Sequence, residues 1–565
     1  MAAVTSDPAD KVRALNCDVA YYKAIHARAV ERETVLKQRV IELEERCARQ
    51  EERIKELLQA NEKLQARVTW LETQLFGRKS EQTNPDAGGN ADGSLVACET
   101  PALAGEEPKK RGKQPGAKGY GRKRHDHLPT EEILHELPPD QQCCPRCAKP
   151  FAVFPGTEDS DELDWDVRLT RRVHKRARYR PTCQCPELPG IIAAPPPPKL
   201  IPKGMFSCGF WARLLLDKFL FQRPLYRTRS ALALEGLDIA QGTLTGGLKR
   251  IEELLQPLYE RIRARSREAK HWHMDETRWR VFAELEGKAG SLWWLWVVAT
   301  RDAVAYLLEP TRSASVPQNH LGADAEGIVS ADRYAAYKAL GSKIRVAFCW
   351  CHVRRDFIEI GEGYKKLSAW AQAWEARINN LFAINARRMK TDPAAFIFED
   401  NALRAALFVM ADDREKELGD GALHPAQRKA LTSLRNHWDG LTLFVSTPAI
   451  PMDNNEAERR LRNPVMGRKN YYGSGALWSG RLAASSFTIF QTCLLNHINP
   501  HKFMLDYFEA CAVNGGLPPR DIESYLPWNL AAQRKTAWRY PELPPLAPPR
   551  RRATAGGCSP PMKWR

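Results

Sequence analysis

From Leu36 to Leu75 the chain steps alternately by four and three residues through a mostly apolar seam. The seam is Leu36, Val40, Leu43, Cys47, Gln50, Ile54, Leu57, Asn61, Leu64, Val68, Leu71 and Leu75. This heptad spacing predicts a coiled-coil helix. Asn61 falls on an a position, where a buried Asn sets the register of a parallel dimer. The other reading is one long helix packed on its own protein. Residues 205–265 carry helical periodicity in FWARLLLDKFLF, PLYRTRSALALEG and TLTGGLKRIEELLQPLYERIR. Gly236 sits between the last two, so a helix-turn-helix and a plain pair of core helices are both open.

After Lys270 the period changes. HWHMDETRWRVFAEL, SLWWLWVVAT and AVAYLLEP are rich in Trp, Val, Leu and Tyr and are separated by short turns. GIVSAD and KIRVAFCW follow, with a helical piece between them. Three consecutive strands and then strands alternating with helix predict a mixed sheet with helices on its faces. Residues 361–446 return to helix, with Trp370, Trp374, Ile378, Leu381 and Phe382 forming a core stripe of an inserted helical unit. Short helices are expected from Thr488 onward, then a Pro-rich basic tail expected to be disordered.

A length of 565 residues calls for several domains. The longest apolar run, Leu292 to Ala299, is far below the roughly 20 residues of a membrane-spanning helix, which excludes a transmembrane protein. The start of the chain lacks the basic, apolar and small-residue pattern of a secretory signal. A cytoplasmic, nucleoid-associated protein is therefore expected, with its 14 Cys as thiols or metal ligands. The formal charge of +17 favours a polyanionic partner. Most of that surplus lies in two stretches: residues 109–127 carry eight Lys/Arg and one acid, and residues 168–180 carry seven and none. Residues 83–118 read as a flexible linker running into a phosphate-contacting arm, or as a solvated tether.

Three acids stand out for chemistry. Asp275 lies inside an apolar strand, where a carboxylate costs free energy unless it is paired or binds a cation. Asp332 closes GIVSAD, at the strand edge where such sheets hold their sites. Taken singly, each also reads as a turn or cap residue. In PMDNNEAERRLRN, residues 451–463, Asp453 and Glu456 match a capping box, which leaves Glu458 free on a face shared with Leu461 and Val465. A surface Glu458–Arg462 pair is the plainer reading. Two acids on adjacent strands and one on a later helix suit two-metal phosphoryl transfer, with two Mg²⁺ (or Mn²⁺) ions about 4 Å apart. Arg459, Arg462, Arg468 and Lys469 lie near enough in sequence to hold a phosphodiester backbone.

These residues carry a resemblance. MDETRW at 274–279, DRYAAY at 332–337, CWCHVRRDF at 349–357, DNNEAERRLR at 453–462 and GRKNYYGSG at 467–475 resemble the transposases of the insertion-sequence-66 family. These are bacterial DDE enzymes with a ribonuclease-H-like core. The heptad helix, RGKQPGAKGYGR, the Cys segment and QRPLYR are similar in order and spacing, so the resemblance covers roughly residues 35 to 510. It implies Asp275, Asp332 and Glu458 as the catalytic, Mg²⁺-binding triad, with a helical insertion between the last two. The family's Cys-x-x-His falls on Cys349 and His352, whose role stays open between a metal site and a core pair. Two positions depart from the pattern. Arg333 stands where the family usually has Gly. The family's second Cys-x-x-Cys knuckle is here Cys183-x-Cys185, beside a regular Cys144-x-x-Cys147. Four thiolates can still enclose a structural Zn²⁺, with Cys143 as a spare, or remain unligated.

The expected fold is multidomain α/β. The divisions are a coiled-coil helix (30–80), a basic linker (81–130), a zinc-finger-like DNA-binding segment (131–195) and a helical region (200–268). They continue with a ribonuclease-H-like core (269–360 plus 447–500) interrupted by a helical insertion (361–446), and end with C-terminal helices and tail (501–565). The expected function is transposition. Arg171, Arg172, Lys175 and Arg176, in the loop between the Cys knuckles, would contact double-stranded DNA at the element's ends. The coiled coil would pair protomers, and small accessory proteins of the same element are further partners implied by the family. The rivals are a catalytically silent DNA-binding repressor and a simple Mg²⁺-dependent nuclease.

Overall fold

The computed structural model describes residues 8–76, 169–180, 191–283 and 290–540, with a few scattered positions between 132 and 150. The chain is mixed α/β, built on one five-stranded sheet. The first helix, α1 (Pro8–Phe76), is one uninterrupted 69-residue element, starting well before the heptads begin. Exposed pairs at three- and four-residue spacing, Glu33–Lys37, Arg39–Glu42 and Arg53–Glu56, line it. Its seam side chains are uncovered within the chain: Leu36 is 64% and Leu43 46% exposed, and Ile54, Leu57 and Leu64 are similar. Near its end α1 touches the body of the protein, where Glu62 meets His424 at 3.1 Å and Ala66 lies against Gly363.

Three helices follow, α2 (Cys208–Phe219), α3 (Leu225–Leu234) and α4 (Gln241–Arg267). Ser207 caps α2 by accepting from the backbone N–H of Phe210. The strands are β1 (His271–Arg280), β2 (Leu292–Ala299), β3 (Val304–Glu309), β4 (Gly327–Ala331) and β5 (Ile344–Phe348), matching the predicted runs. Their order across the sheet is β3-β2-β1-β4-β5. The first three are antiparallel hairpin neighbours, while β4 joins β1, and β5 joins β4, in parallel. Two more helices of the core come late in the chain: α9 (Asn455–Tyr471) and α10 (Leu477–Leu495). Between β5 and α9 run α5 (Trp350–Gly363), α6 (Ser368–Arg388), α7 (Pro393–Gly419) and α8 (Pro425–Asn436). After α10 comes α11 (Pro500–Val513).

The two-residue alternation of the strands feeds two cores, one on each face of the sheet. Trp279, Leu295, Val297 and Tyr306 point toward α2, α4 and α10, where Phe487, Leu255 and Phe219 meet them. Trp272, Met274, Trp296 and Leu307 point the other way, toward Tyr337 and the short helix before β4. A third core belongs to the insertion: Trp374, Ile378, Leu381 and Phe382 of α6 pack on Phe357, Leu407 and Leu431, as the aromatic stripe predicted. Trp374 stacks on Phe357 at 5.4 Å between ring centres.

α9 contains Pro464, which lacks the N–H that would bond the carbonyl of Arg460. The hydroxyl of Tyr306 on β3 donates to that carbonyl instead at 2.7 Å, so the missing bond fastens the helix to the sheet. The α9 start corrects one expectation. Asp453 and Glu456 do not form a capping box: the helix is entered through Asn454. Asp453 accepts from the backbone N–H of Asn455, and Glu456 turns outward to Arg459 and Arg460. Two guanidinium groups one turn away offer that carboxylate stronger, charge-assisted bonds than one backbone N–H.

Candidate active site

On β1 the odd-numbered residues His271, His273 and Asp275 share the face that α9 covers, while Glu276 turns to the opposite core. The parallel β1–β4 register pairs His271 with Ile328 and His273 with Ser330. Continued by one further pleat, it sets Asp275 opposite Asp332, the first residue after β4. Asp275 Oδ1 accepts from the backbone N–H of Glu276 at 2.8 Å, and Asp332 Oδ1 accepts from that of Tyr334 at 2.9 Å. Burial raises the Asp275 carboxyl well above the ordinary carboxylate range, and the neighbouring carboxylates of Glu276 and Asp332 add to it. The carboxylate of Asp332, just past β4, therefore acts on the Asp275 carboxyl midway along β1.

The loop carrying Asp332 is clamped from the far face. Glu276, fully buried, accepts from Tyr337 Oη at 2.5 Å and from Arg312 Nε at 2.7 Å. Arg312 lies over the rings of Tyr334 and Trp294. Arg333, the departure from the family pattern, does not face the acids. Its guanidinium donates to Asp356 at 2.7 Å, Ser433 at 2.9 Å and the carbonyl of His352 at 3.2 Å. The bulky cation thus braces the Asp332 loop against α5 and α8.

Glu458 lies in the first turn of α9 and is 1% exposed. As the helical spacing predicted, Leu461 and Val465 are buried with it. Both of its carboxylate oxygens lack a hydrogen bond. His352 Nε2 lies 3.8 Å from its Oε1. Burial raises the Glu458 carboxyl to about 7. The donor atoms of Cys349, His352 and Glu458 all lie within 4.8 Å of one another. Asp275 and Asp332 stand outside that cluster. Burial opposes protonation of His352, but the adjoining Cys349 and Glu458 outweigh it and carry the imidazole up to about 9. A hydrogen bond with the Cys351 thiol, joined by His352, holds Cys349 well below the ordinary thiol range despite its burial.

One residue whose role sequence reasoning missed joins these pieces. Asn454 Nδ2 donates to the carbonyl of Met274 at 2.7 Å, and its Oδ1 pairs with His273 Nδ1 at 3.2 Å. Its backbone N–H donates to Cys349 Sγ at 3.3 Å, and its carbonyl accepts from the N–H of Glu458 at 3.3 Å. Asn454 therefore ties β1, α5 and α9 together beside Asp275. Its signal was the repeated Asn of DNNE, a small amide one residue after Asp453, where the N-cap was expected. Below it, His271 and His273 open onto a cavity of about 540 Å³ that Arg265, Lys270, Arg301 and Arg460 also line.

The predicted DNA contacts divide. Arg459 is exposed and paired with Glu456, and Arg462 and Lys469 are exposed. Arg468 instead donates to Thr277 Oγ1 and the carbonyl of Arg278, pinning the end of α9 to β1. Arg171, Arg172, Lys175 and Arg176 are exposed on a strip leading into a two-residue ribbon, Arg178–Tyr179 with Ile192–Ala193. The four proposed zinc cysteines, Cys144, Cys147, Cys183 and Cys185, the spare Cys143, the basic linker and the C-terminal tail lie outside the described residues. Among the described residues no helix is long and apolar enough to cross a membrane.

Comparison with known proteins agrees with the motif pattern. The model of a family described as "Transposase IS66 family" matches residues 203–482, spanning α2 to α10. Three proteins of Sinorhizobium fredii (strain NBRC 101917 / NGR234), each described as uncharacterized, are similar over most of the chain. The protein y4jD is 28% identical over 509 residues, covering 83% of this chain and 95% of its own. The protein y4qI is 27% identical over 467 residues, covering 77% and 81%, and y4hP is 26% identical over 434 residues, covering 71% and 75%.

Proposed function

Because the chain belongs to the IS66 transposase family, we propose that it is a DNA transposase whose carboxylate triad is Asp275, Asp332 and Glu458. The observation that carries this is the parallel register that aligns Asp275 with Asp332 on adjacent strands, beside the helix that holds a buried Glu458. The hairpin strands followed by two parallel ones, with the acids on the central pair, support a ribonuclease-H-like core. The donor set suits Mg²⁺: the oxygens are hard carboxylate donors, and burial first, then Glu276 and Asp332, disfavour an unpaired charge on Asp275, a cost that a bound divalent cation would remove. Bound there, Mg²⁺ would supply Lewis acidity to attacking and leaving oxygens of a phosphodiester.

The protein's own residues do the rest. Asn454 and Arg468 hold α9 against β1, and the Glu276–Arg312–Tyr337 network holds the Asp332 loop. The exposed Arg462 and Lys469 of α9, with exposed Arg301 at the His271 cavity, would meet a phosphate backbone. Cleavage by water exposes a 3′-hydroxyl, which then attacks the target strand, so no protein–DNA covalent link forms. The exposed heptad seam of α1 fits a coiled coil with a second copy, which would bring two ends together. The basic strip at 168–180, with Zn²⁺ on Cys144, Cys147, Cys183 and Cys185, would grip the terminal inverted repeats.

The test combines purified protein, Mg²⁺, DNA carrying the element's ends and a supercoiled target. Joined products are expected from wild type and lost in Asp275→Ala, Asp332→Ala and Glu458→Ala. Activity surviving in Glu458→Ala removes that residue from the triad, and cutting without joining leaves a simple nuclease.

A further inference from the structure

We propose that Cys349, His352 and Glu458 form a binding site for a borderline-soft divalent transition metal, Zn²⁺ foremost. Cys349 immediately precedes α5 and His352 lies in its first turn, so the Cys-x-x-His spacing turns both donors to one side. Glu458 arrives from the first turn of α9, and the three donor atoms come within 4.8 Å of one another. The second, independent observation is the state of Glu458. It is 1% exposed, yet neither oxygen accepts a hydrogen bond. A buried acceptor left unmatched is costly, and a bound cation removes that cost.

The donor chemistry selects the ion. Thiolate, imidazole and carboxylate together match zinc, which takes three such protein ligands and leaves a fourth tetrahedral position open. Mg²⁺ demands an octahedron of oxygens, which this cluster does not offer. Cys349 is also held from outside, since the Asn454 N–H donates to its Sγ. The site does not rest on the transposase reading. It concerns side chains already gathered, and it is measured without DNA. Glu458 has two oxygens, so a metal here neither requires nor forbids a share in the carboxylate triad.

The experiment titrates Co²⁺, then Zn²⁺, into the full-length reduced chain carrying Cys143→Ser, Cys144→Ser, Cys147→Ser, Cys183→Ser and Cys185→Ser, so that the proposed zinc-knuckle thiols contribute nothing. One Co²⁺ per chain is expected, with a near-ultraviolet thiolate-to-cobalt charge-transfer band that Zn²⁺ displaces and excess Mg²⁺ does not. Adding Cys349→Ser abolishes the band. Adding His352→Gln or Glu458→Gln weakens Zn²⁺ binding in equilibrium dialysis by at least about tenfold, the loss that even outer-shell changes cause. Absence of the band in the parent, whose cluster is intact, overturns the proposal however the added variants fold. So does a band that persists undiminished in Cys349→Ser.

Discussion

Replacing Asn454 by Ala removes the side chain that fastens the entry of the Glu458 helix to β1 beside Asp275, while its backbone bonds to Cys349 and Glu458 remain. Its carboxamide makes two bonds, 2.7 Å to the Met274 carbonyl and 3.2 Å to His273 Nδ1, at a site that is 1% exposed. Each such bond contributes about 1 kcal/mol net, and a buried group left without a partner adds about 1–3 kcal/mol more. The expected destabilisation is therefore about 3–5 kcal/mol. The functional loss should exceed what this destabilisation explains, because a displacement near 1 Å between reacting groups is worth about 10²-fold in rate. Phe503→Ala provides the control. Phe503 is fully buried in α11 against Trp538, and its truncation should cost about 3–5 kcal/mol without touching the acids. Single-turnover cleavage of end-labelled DNA is measured well below both melting temperatures. Asn454→Ala should fall about 10²-fold, while Phe503→Ala should stay near wild type. A wild-type rate in Asn454→Ala, or an equal fall in both, refutes the role assigned to Asn454.

Three further outcomes are expected. Burial first, then Arg263 and Arg267, depress the imidazole of His320 from 6.5 to about 3, so protonation favours the unfolded chain. Stability is full above 6.5, falls as pH drops through that value and levels off below about 3. At pH 5 the loss from this group is about 2 kcal/mol, and a His320→Gln variant whose denaturation midpoint falls as steeply as wild type would contradict it. Arg333→Gly, which restores the usual family residue, should lower stability by about 1–3 kcal/mol, because Asp356, Ser433 and the His352 carbonyl lose their donor. A faster cleavage rate with an unchanged melt would show that Arg333 obstructs the site instead. Leu43→Lys with Leu57→Lys should convert a dimer to a monomer in sedimentation velocity, and an unchanged sedimentation coefficient would remove the seam as a pairing surface.

Much of the frame was legible before any coordinates. The change of hydrophobic period at Lys270, the tryptophan stripe of α6 and the buried trio Glu458, Leu461 and Val465 all follow from spacing, because burial on one face of a helix or strand imposes a period on the sequence. Asp275 and Asp332 were legible for a related reason: a carboxylate in an apolar strand is conspicuous. The capping box was misread because spacing identifies which groups can meet, and not which competing partner is stronger. Glu456 had two arginines within one turn. Arg333 raised the same problem, since a cation beside an acid in sequence need not face it in space.

By itself, then, the sequence determined the elements, their order, the amphipathic faces and the small set of acids able to do chemistry. All of these depend on interactions within about one helical turn or one strand. Tertiary structure decided which distant groups share a site. It set Asp275 across from Asp332 through a strand register 57 residues apart in sequence, turned Arg333 away to α5 and α8, and made Asn454 the tie between β1 and α9. It also gathered Cys349, His352 and Glu458 into one buried cluster. Such assignments are competitions among partners brought together by packing, and a one-dimensional pattern contains the competitors without their distances.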